Sequence, residues 1–219
     1  IQASPVLYKG CTLVLHPSFD PHKTYEDIRK YQVTKFLGVP TVYKSLVKVE
    51  AEKRAASSSL KVSAIGGEKL TPELMSQFKE AGFCLRQIMG QTETSILLWA
   101  HEDDATRKPG SVGRPVFHAD VRIVDPQGRR CAPGQVGEII VRGSIMMTEY
   151  WQDPVKTEET IRGGWLHTGD LARVDEDGYF YFVGRDDDVI TSSGYRIGPG
   201  EIEDCLLGHP AVSLAAVVG

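Results

Sequence analysis

Leu166-His-Thr-Gly-Asp-Leu-Ala-Arg-Val-Asp-Glu-Asp-Gly-Tyr-Phe-Tyr-Phe-Val-Gly-Arg-Asp-Asp-Asp-Val-Ile-Thr-Ser-Ser-Gly-Tyr-Arg-Ile-Gly-Pro-Gly-Glu-Ile-Glu203 is the stretch from which the rest of the chain is read. Leu171 to Val174 and Tyr179 to Val183 are short apolar runs separated by Asp175-Glu-Asp-Gly178, the pattern of a hairpin. Around it stand a carboxylate behind a glycine turn, Asp170, two arginines, Arg185 and Arg196, and three consecutive acids at 186–188. A carboxylate accepts hydrogen bonds from both hydroxyls of a ribose, and an arginine fork suits ribose and phosphate oxygens. The four glycines between Gly184 and Gly200 let backbone approach a ligand and absorb large dihedral changes. The combination suits a nucleotide site beside a joint. A calcium loop starting at Asp175 is disfavoured, because its twelfth position, Asp186, is not Glu and a strand intervenes.

Upstream, Asp120 to Val124 and Gly137 to Arg142 are further short strands, set off by turn signals at Asp125-Pro-Gln-Gly128 and Pro133-Gly134. Residues 110–186 therefore read as a small antiparallel β-barrel or sandwich. Residues 1–109 alternate strands with helices. Thr12 to Leu15, Phe36 to Val39, Val62 to Ile65 and Leu85 to Met89 read as strands. Helices begin at Asp20-Pro21, run from Thr41 to Ala56, and open at Thr71-Pro72 to close at Gly82. This is an α/β pattern, a largely parallel sheet with flanking helices, whose ligands belong at the carboxyl ends of the strands, near Gly66 to Lys69 and Met89 to Glu93. Residues 187–219 carry Val189-Ile190, a glycine-rich loop, a helix from Pro199 to Leu207 and a strand from Val212 to Val218, the beginning of an α+β C-terminal domain.

Composition excludes several classes. A net charge of −4 gives no electrostatic reason for a nucleic-acid partner. The apolar runs are too short to span a bilayer, and no targeting leader is visible. Four scattered cysteines and six histidines show neither a disulfide framework nor a zinc cage, which points to a reducing, cytoplasmic setting. The chain begins Ile-Gln-Ala-Ser-Pro and reads as the interior of a longer protein.

Met89-Gly-Gln-Thr-Glu93 has two readings. Thr92 can donate to a phosphate while Glu93, a hard oxygen ligand, meets magnesium; or these residues are a polar strand end that caps the next segment. Gly66-Gly-Glu-Lys69 is by itself a tight turn, and Asp170 by itself a turn acid.

Taken in order, however, Gly66-Gly-Glu-Lys-Leu70, Gly90-Gln-Thr-Glu93, Gly137-Glu-Ile-Ile-Val-Arg-Gly143, Thr168-Gly-Asp-Leu171 and Gly184 to Glu203 resemble the adenylate-forming superfamily of acyl-CoA synthetases, luciferases and peptide-synthetase adenylation domains. The wording Asp187-Asp-Val-Ile-Thr-Ser-Ser-Gly-Tyr-Arg-Ile-Gly198 is similar to the acetyl-CoA and medium-chain acyl-CoA synthetase branch. The resemblance implies a two-step ligase using ATP, Mg2+, a carboxylic acid and CoA. It assigns Gly67, Glu68 and Lys69 to adenine, and Gln87, Ile88, Met89, Gly90, Gln91 and Thr92 to adenine and α-phosphate. It makes Glu93 the magnesium ligand, with Thr92 and Glu93 the catalytic pair. Asp170 goes to the ribose hydroxyls, Arg185 to ribose and phosphate, Arg196 to the phosphates, Asp187 to the hinge, and Ser193 and Gly194 to CoA. A weaker transfer puts a structural cation near Leu207, His209 and Val212. Glycine at 66 and 90, where acetate-specific relatives carry larger residues, implies an acyl pocket for an acid larger than acetate. The family's glycine-rich phosphate loop and its C-terminal lysine have no counterpart here, and no lysine follows Lys156. On its own this polypeptide is expected to adenylate little or nothing.

Overall fold

The computed structural model describes residues 3–49, 59–67, 72–101, 103–186, 188, 190–192, 195–197, 199–209, 211–212 and 215–218. Glu68, Lys69, Asp187, Ser193 and Gly194 lie outside them, as does the side chain of Arg196.

The first sheet is built from β1 (Lys35–Gly38), β2 (Val62–Ile65), β3 (Leu85–Gln91), β4 (Ser95–Trp99) and β5 (Arg114–Pro115), in that spatial order. β1, β2 and β3 are parallel, as alternation with helices requires, whereas β4 and β5 run antiparallel. The α/β reading therefore holds with a mixed rather than largely parallel sheet. The difference arises at 91–95, where the chain reverses tightly: Thr94 N–H bonds to Gln91 O at 3.2 Å and Ser95 adopts φ 57°. A left-handed serine leaves no mark in residue type, so nothing in the sequence announces the reversal before Ile96.

Four helices among the described residues accompany this sheet. α1 (Ala3–Tyr8) is exposed. α2 (Pro21–Tyr31) is capped as the sequence predicts, the Asp20 carboxylate accepting from Lys23 N–H at 2.8 Å. α3 (Pro40–Val47) ends at its C-cap Lys48, short of the Ala56 expected, and 50–58 lie outside the described residues. α4 (Pro72–Glu80) ends before Gly82, whose φ of 89° closes it. Tyr25, Ile28, Tyr43, Leu46, Ile65, Phe78, Phe83 and Leu85 form the core between helices and sheet. Tyr43 lies at its centre, packing edge-on against Phe36 and Phe83 and donating its hydroxyl to Ala64 O at 3.1 Å. The strand expected at Thr12 to Leu15 does not form. No described strand lies beside it, Leu15 is exposed, and the segment is tied instead to α2 through His16 Nε2 and Asp27 at 2.8 Å.

After the short α5 (Asp104–Arg107) comes an antiparallel sheet of β6 (Ala119–Val124), β7 (Gly137–Gly143), β9 (Trp165–Val174) and β10 (Phe180–Arg185), ordered β10-β9-β7-β6. β8 (Ile161–Arg162) pairs with β9, and α6 (Pro154–Thr160) precedes it. Among the described residues this is a curled half-barrel, not a closed barrel. Ile123, Ile139, Val141, Leu166, Ala172 and Phe180 fill it, and Leu97 and Leu98 of β4 join the same cluster. The hairpin at 175–178 forms as expected, with the Asp175 carboxylate accepting from the Asp177 and Tyr179 N–H groups. Beyond it stand β11 (Ile190–Ser192), β12 (Tyr195–Ile197) and α7 (Pro199–Leu207). The described residues between Val212 and Val218 are not strand. No described helix is long and apolar enough to cross a membrane, no described cluster of acids, histidines and cysteines could hold a metal ion, and none of the four cysteines is in a disulfide.

The two sheets meet at Gly113. Its carbonyl accepts from Phe180 N–H at 2.9 Å on one side, and the next two residues pair with Leu98 and Trp99 on the other. At φ 94° any side chain here would run into the Trp99 carbonyl. Gly110 shares the positive φ, 77°, but has open space around it. Gly110→Ala is therefore expected to cost about 1–2 kcal/mol, the price of left-handed backbone alone, and Gly113→Ala about 3 kcal/mol or more. Urea unfolding of the two variants checks this; equal losses would show that Gly113 is not a packed joint.

Candidate functional site

β2 and β3 are parallel and in register, with Ile65 opposite Gln87, so their carboxyl ends emerge side by side. Gly66 is buried against β3: a Cβ there would lie 2.6 Å from Ile88 O. Gly67 follows at φ 96° and is exposed. Gln87 is buried, Ile88 and Met89 half-buried, and the backbone then bulges between Met89 and Gly90 before the 91–95 reversal. Thr92 sits exposed at the tip of that reversal and Glu93 half-buried behind it. The reversal is held from within by Thr94, fully buried, whose Oγ accepts from Gln91 N–H at 3.4 Å and donates to Ser95 O at 3.3 Å.

Both glycines at which the acyl pocket is expected stand close to neighbouring backbone. A Cβ on Gly90 would overlap Ser95 O, and one on Gly66 would overlap Ile88 O and its side chain. In this backbone the two glycines permit close strand approach.

The second group comes from the half-barrel. Asp170 and Arg185 are register partners across β9 and β10, and Arg185 Nη1 lies 3.4 Å from the Asp170 carboxylate. Asp170 is only 13% exposed and Arg185 45%, so a partly sheltered carboxylate faces a largely solvated guanidinium. Gly169, φ 71°, makes the juxtaposition possible, since a Cβ would press on Arg185 Nη2 at 3.2 Å. Asp186 N–H donates to Gly169 O at 2.8 Å and holds the two strands together beyond the bulge at Phe182 to Gly184.

Sequence reasoning missed what fixes this turn. The Glu138 carboxylate accepts from Gly169 N–H at 3.1 Å with one oxygen and pairs with His167 Nδ1 at 2.7 Å with the other. The buried Thr168 hydroxyl donates to Ile139 O at 2.7 Å and accepts from Asp170 N–H at 3.1 Å. The one available signal was the position of Glu138 inside the Gly137–Gly143 motif, where a charged residue starts an otherwise buried strand.

The two groups touch. Gln91 Nε2 donates to Thr168 O at 3.3 Å across 77 residues of sequence. The 91–95 reversal and the Asp170 turn thus lie against one another at the seam between the sheets. A second tie was also unforeseen: the Tyr150 hydroxyl donates to Glu93 Oε1 at 2.8 Å. Burial first, and then the Glu93 carboxylate beside it, push the Tyr150 phenol upward, so it stays a protonated donor at neutral pH.

The reversal that carries Thr92 and Glu93 and the turn that carries Asp170 and Arg185 thus meet beside two strand ends. The family model for AMP-binding enzymes matches residues 2–151. The chain belongs to this family. Feruloyl-CoA synthase of an Amycolatopsis species is 40% identical over 219 residues, covering 98% of this chain and 44% of that protein. The human mitochondrial acyl-coenzyme A synthetase ACSM3 is 40% identical over 222 residues, covering 98% and 38%. Among solved structures, o-succinylbenzoate coenzyme A synthetase from Bacillus subtilis, in complex with its acyl-adenylate intermediate, superposes with a TM-score of 0.89 at 33% identity, covering 98% of this chain and 44% of that one. The amide bond synthetase McbA from Marinactinospora thermotolerans gives 0.90 at 34% identity, covering 97% and 44%. The chain therefore spans less than half the length of these relatives.

In this member of the AMP-binding enzyme family the Asp170 turn depends on Glu138. Glu138→Ala leaves Gly169 N–H without its acceptor and is expected to lower stability by about 1–3 kcal/mol, whereas Glu138→Gln, which keeps a carbonyl oxygen there, loses less than half as much. Chemical denaturation reads the difference; an alanine variant as stable as the parent would show that the contact holds nothing.

Proposed function

We propose that this chain is the nucleotide-facing part of an ATP-dependent acyl-CoA synthetase, with 1–109 and 110–186 belonging to its N-terminal domain and 187–219 to the hinge and the start of its C-terminal domain. The observation that carries the reading is the Gln91–Thr168 hydrogen bond, which brings the Thr92–Glu93 reversal and the Asp170–Arg185 pair to one place. Support comes also from the acyl-CoA synthetases among its relatives.

Asp170, partly sheltered and acceptor-only when ionised, takes the two ribose hydroxyls. Arg185, whose fork faces the same carboxylate, reaches ribose and phosphate oxygens. Gly67 and the 87–91 strand end line the adenine, and Thr92 donates to the α-phosphate. Glu93 suits Mg2+, a hard cation usually held by one or two carboxylates together with substrate phosphates. Its carboxylate is half-buried, and Oε2 meets no donor among the described residues. Bound there, the ion would neutralise phosphate charge. The carboxylate of the acid attacks the α-phosphorus and pyrophosphate leaves; the CoA thiolate then attacks the acyl carbon and AMP leaves. Arg196 serves the first step, Ser193 and Gly194 border the CoA in the second, and Asp187 is the hinge between them.

The acid is larger than acetate. Two relatives named for the bulky acids they act on, feruloyl and o-succinylbenzoate, support this. The similarity to an amide bond synthetase supports a second reading, in which an amine accepts the acyl group. AMP formation by the full-length protein, measured across a panel of carboxylic acids with CoA or an amine as acceptor, separates the two. The expected result is CoA-dependent AMP release with an aromatic or medium-chain acid favoured over acetate by more than tenfold in kcat/KM, roughly what two buried methylenes provide. Acetate preferred, or an amine used in place of CoA, would contradict it.

A further inference from the structure

Glu93 is gripped twice by one segment. Its backbone carbonyl accepts from Met147 N–H at 2.7 Å, and its carboxylate Oε1 accepts from the Tyr150 hydroxyl at 2.8 Å. That segment is itself fixed by α6. Tyr150 N–H donates to Thr157 Oγ at 2.9 Å, Thr157 Oγ donates to Asp153 O at 2.7 Å, and Lys156 Nζ lies over the Tyr150 ring, 4.7 Å from its centroid. The phenol is therefore aimed by a short helix toward a carboxylate 57 residues away in sequence.

A carboxylate can meet a cation with one oxygen or with two. Ca2+ accepts carboxylates in either mode at flexible geometry, whereas Mg2+ demands near-ideal octahedral coordination. A hydrogen bond from a neutral hydroxyl to an ionised carboxylate is among the stronger kinds, so Oε1 is not readily surrendered to a metal. We infer that Tyr150 is a positioning residue that leaves Glu93 a single oxygen for the metal and thereby favours Mg2+ over Ca2+. The inference rests on the reading of Glu93 as the metal ligand.

Calorimetric titration of ATP into the full-length protein, in Mg2+ or in Ca2+, tests it, with AMP titrated in EDTA as a metal-free reference. Tyr150→Phe should lower the Mg2+-over-Ca2+ affinity ratio for ATP by about tenfold, while AMP affinity stays within about twofold of the parent. Thr157→Val, which loosens the backbone anchor of Tyr150, should shift the ratio the same way by less, and it decides the matter should Tyr150→Phe fail to fold. An unchanged ratio overturns the inference. So does a parallel loss of AMP and ATP binding, which would make Tyr150 merely structural. A parent protein whose ATP affinity responds to neither cation overturns the reading of Glu93 and the inference with it, and the parent alone reveals that outcome.

Discussion

Everything that can be called a site in this molecule depends on one close backbone approach. At Gly113 the chain leaves the half-barrel, where it bonds to Phe180, and enters the first sheet, where the next residues pair with β4. Only a residue without a side chain lets the Trp99 carbonyl come so near. Because β4 is joined to β3 by the 91–95 reversal, and β10 carries Arg185, the junction puts the carboxyl end of one sheet against the polar edge of the other. Leu97 and Leu98 then share a core with Ile139 and Phe180, so apolar burial holds the seam that the glycine permits.

On that seam the functional groups are held by neighbours that do no chemistry themselves. Thr94 closes the reversal from inside, Glu138 and Thr168 fix the Asp170 turn, and Tyr150 orients Glu93. Each interaction satisfies a polar group that burial would otherwise penalise, and under the proposed function each removes a freedom that nucleotide binding would otherwise have to remove. The Asp170–Arg185 pair is different. At 3.4 Å, with a half-exposed arginine, that ion pair contributes little to stability.

Much of this was legible in the chain. The Asp20-Pro21 cap, Gly82 as a helix stop, Val62 to Ile65 as a strand and the Asp175 hairpin arise from local chemistry, and the structure has each of them. The ordered motifs also pointed to the family. What stayed hidden was non-local. Nothing in Gln91 or Thr168 announces their hydrogen bond, and nothing in Tyr150 announces Glu93. The antiparallel β4 escaped because its turn uses a left-handed serine in place of glycine. Thr12 to Leu15 has strand-like residues but no described neighbour to pair with, and propensity without a partner makes no strand. Nor does residue type announce that Gly66 and Gly90 stand so close to the Ile88 and Ser95 carbonyls.

The central claim is that Thr92, Glu93, Asp170 and Arg185 serve a single nucleotide. A crystal structure of the full-length protein with AMP tests it most directly. The account predicts one AMP with its ribose hydroxyls within about 3 Å of the Asp170 carboxylate and its phosphate within the same distance of the Thr92 hydroxyl. A nucleotide bound elsewhere, or touching only one of these two residues, would contradict it.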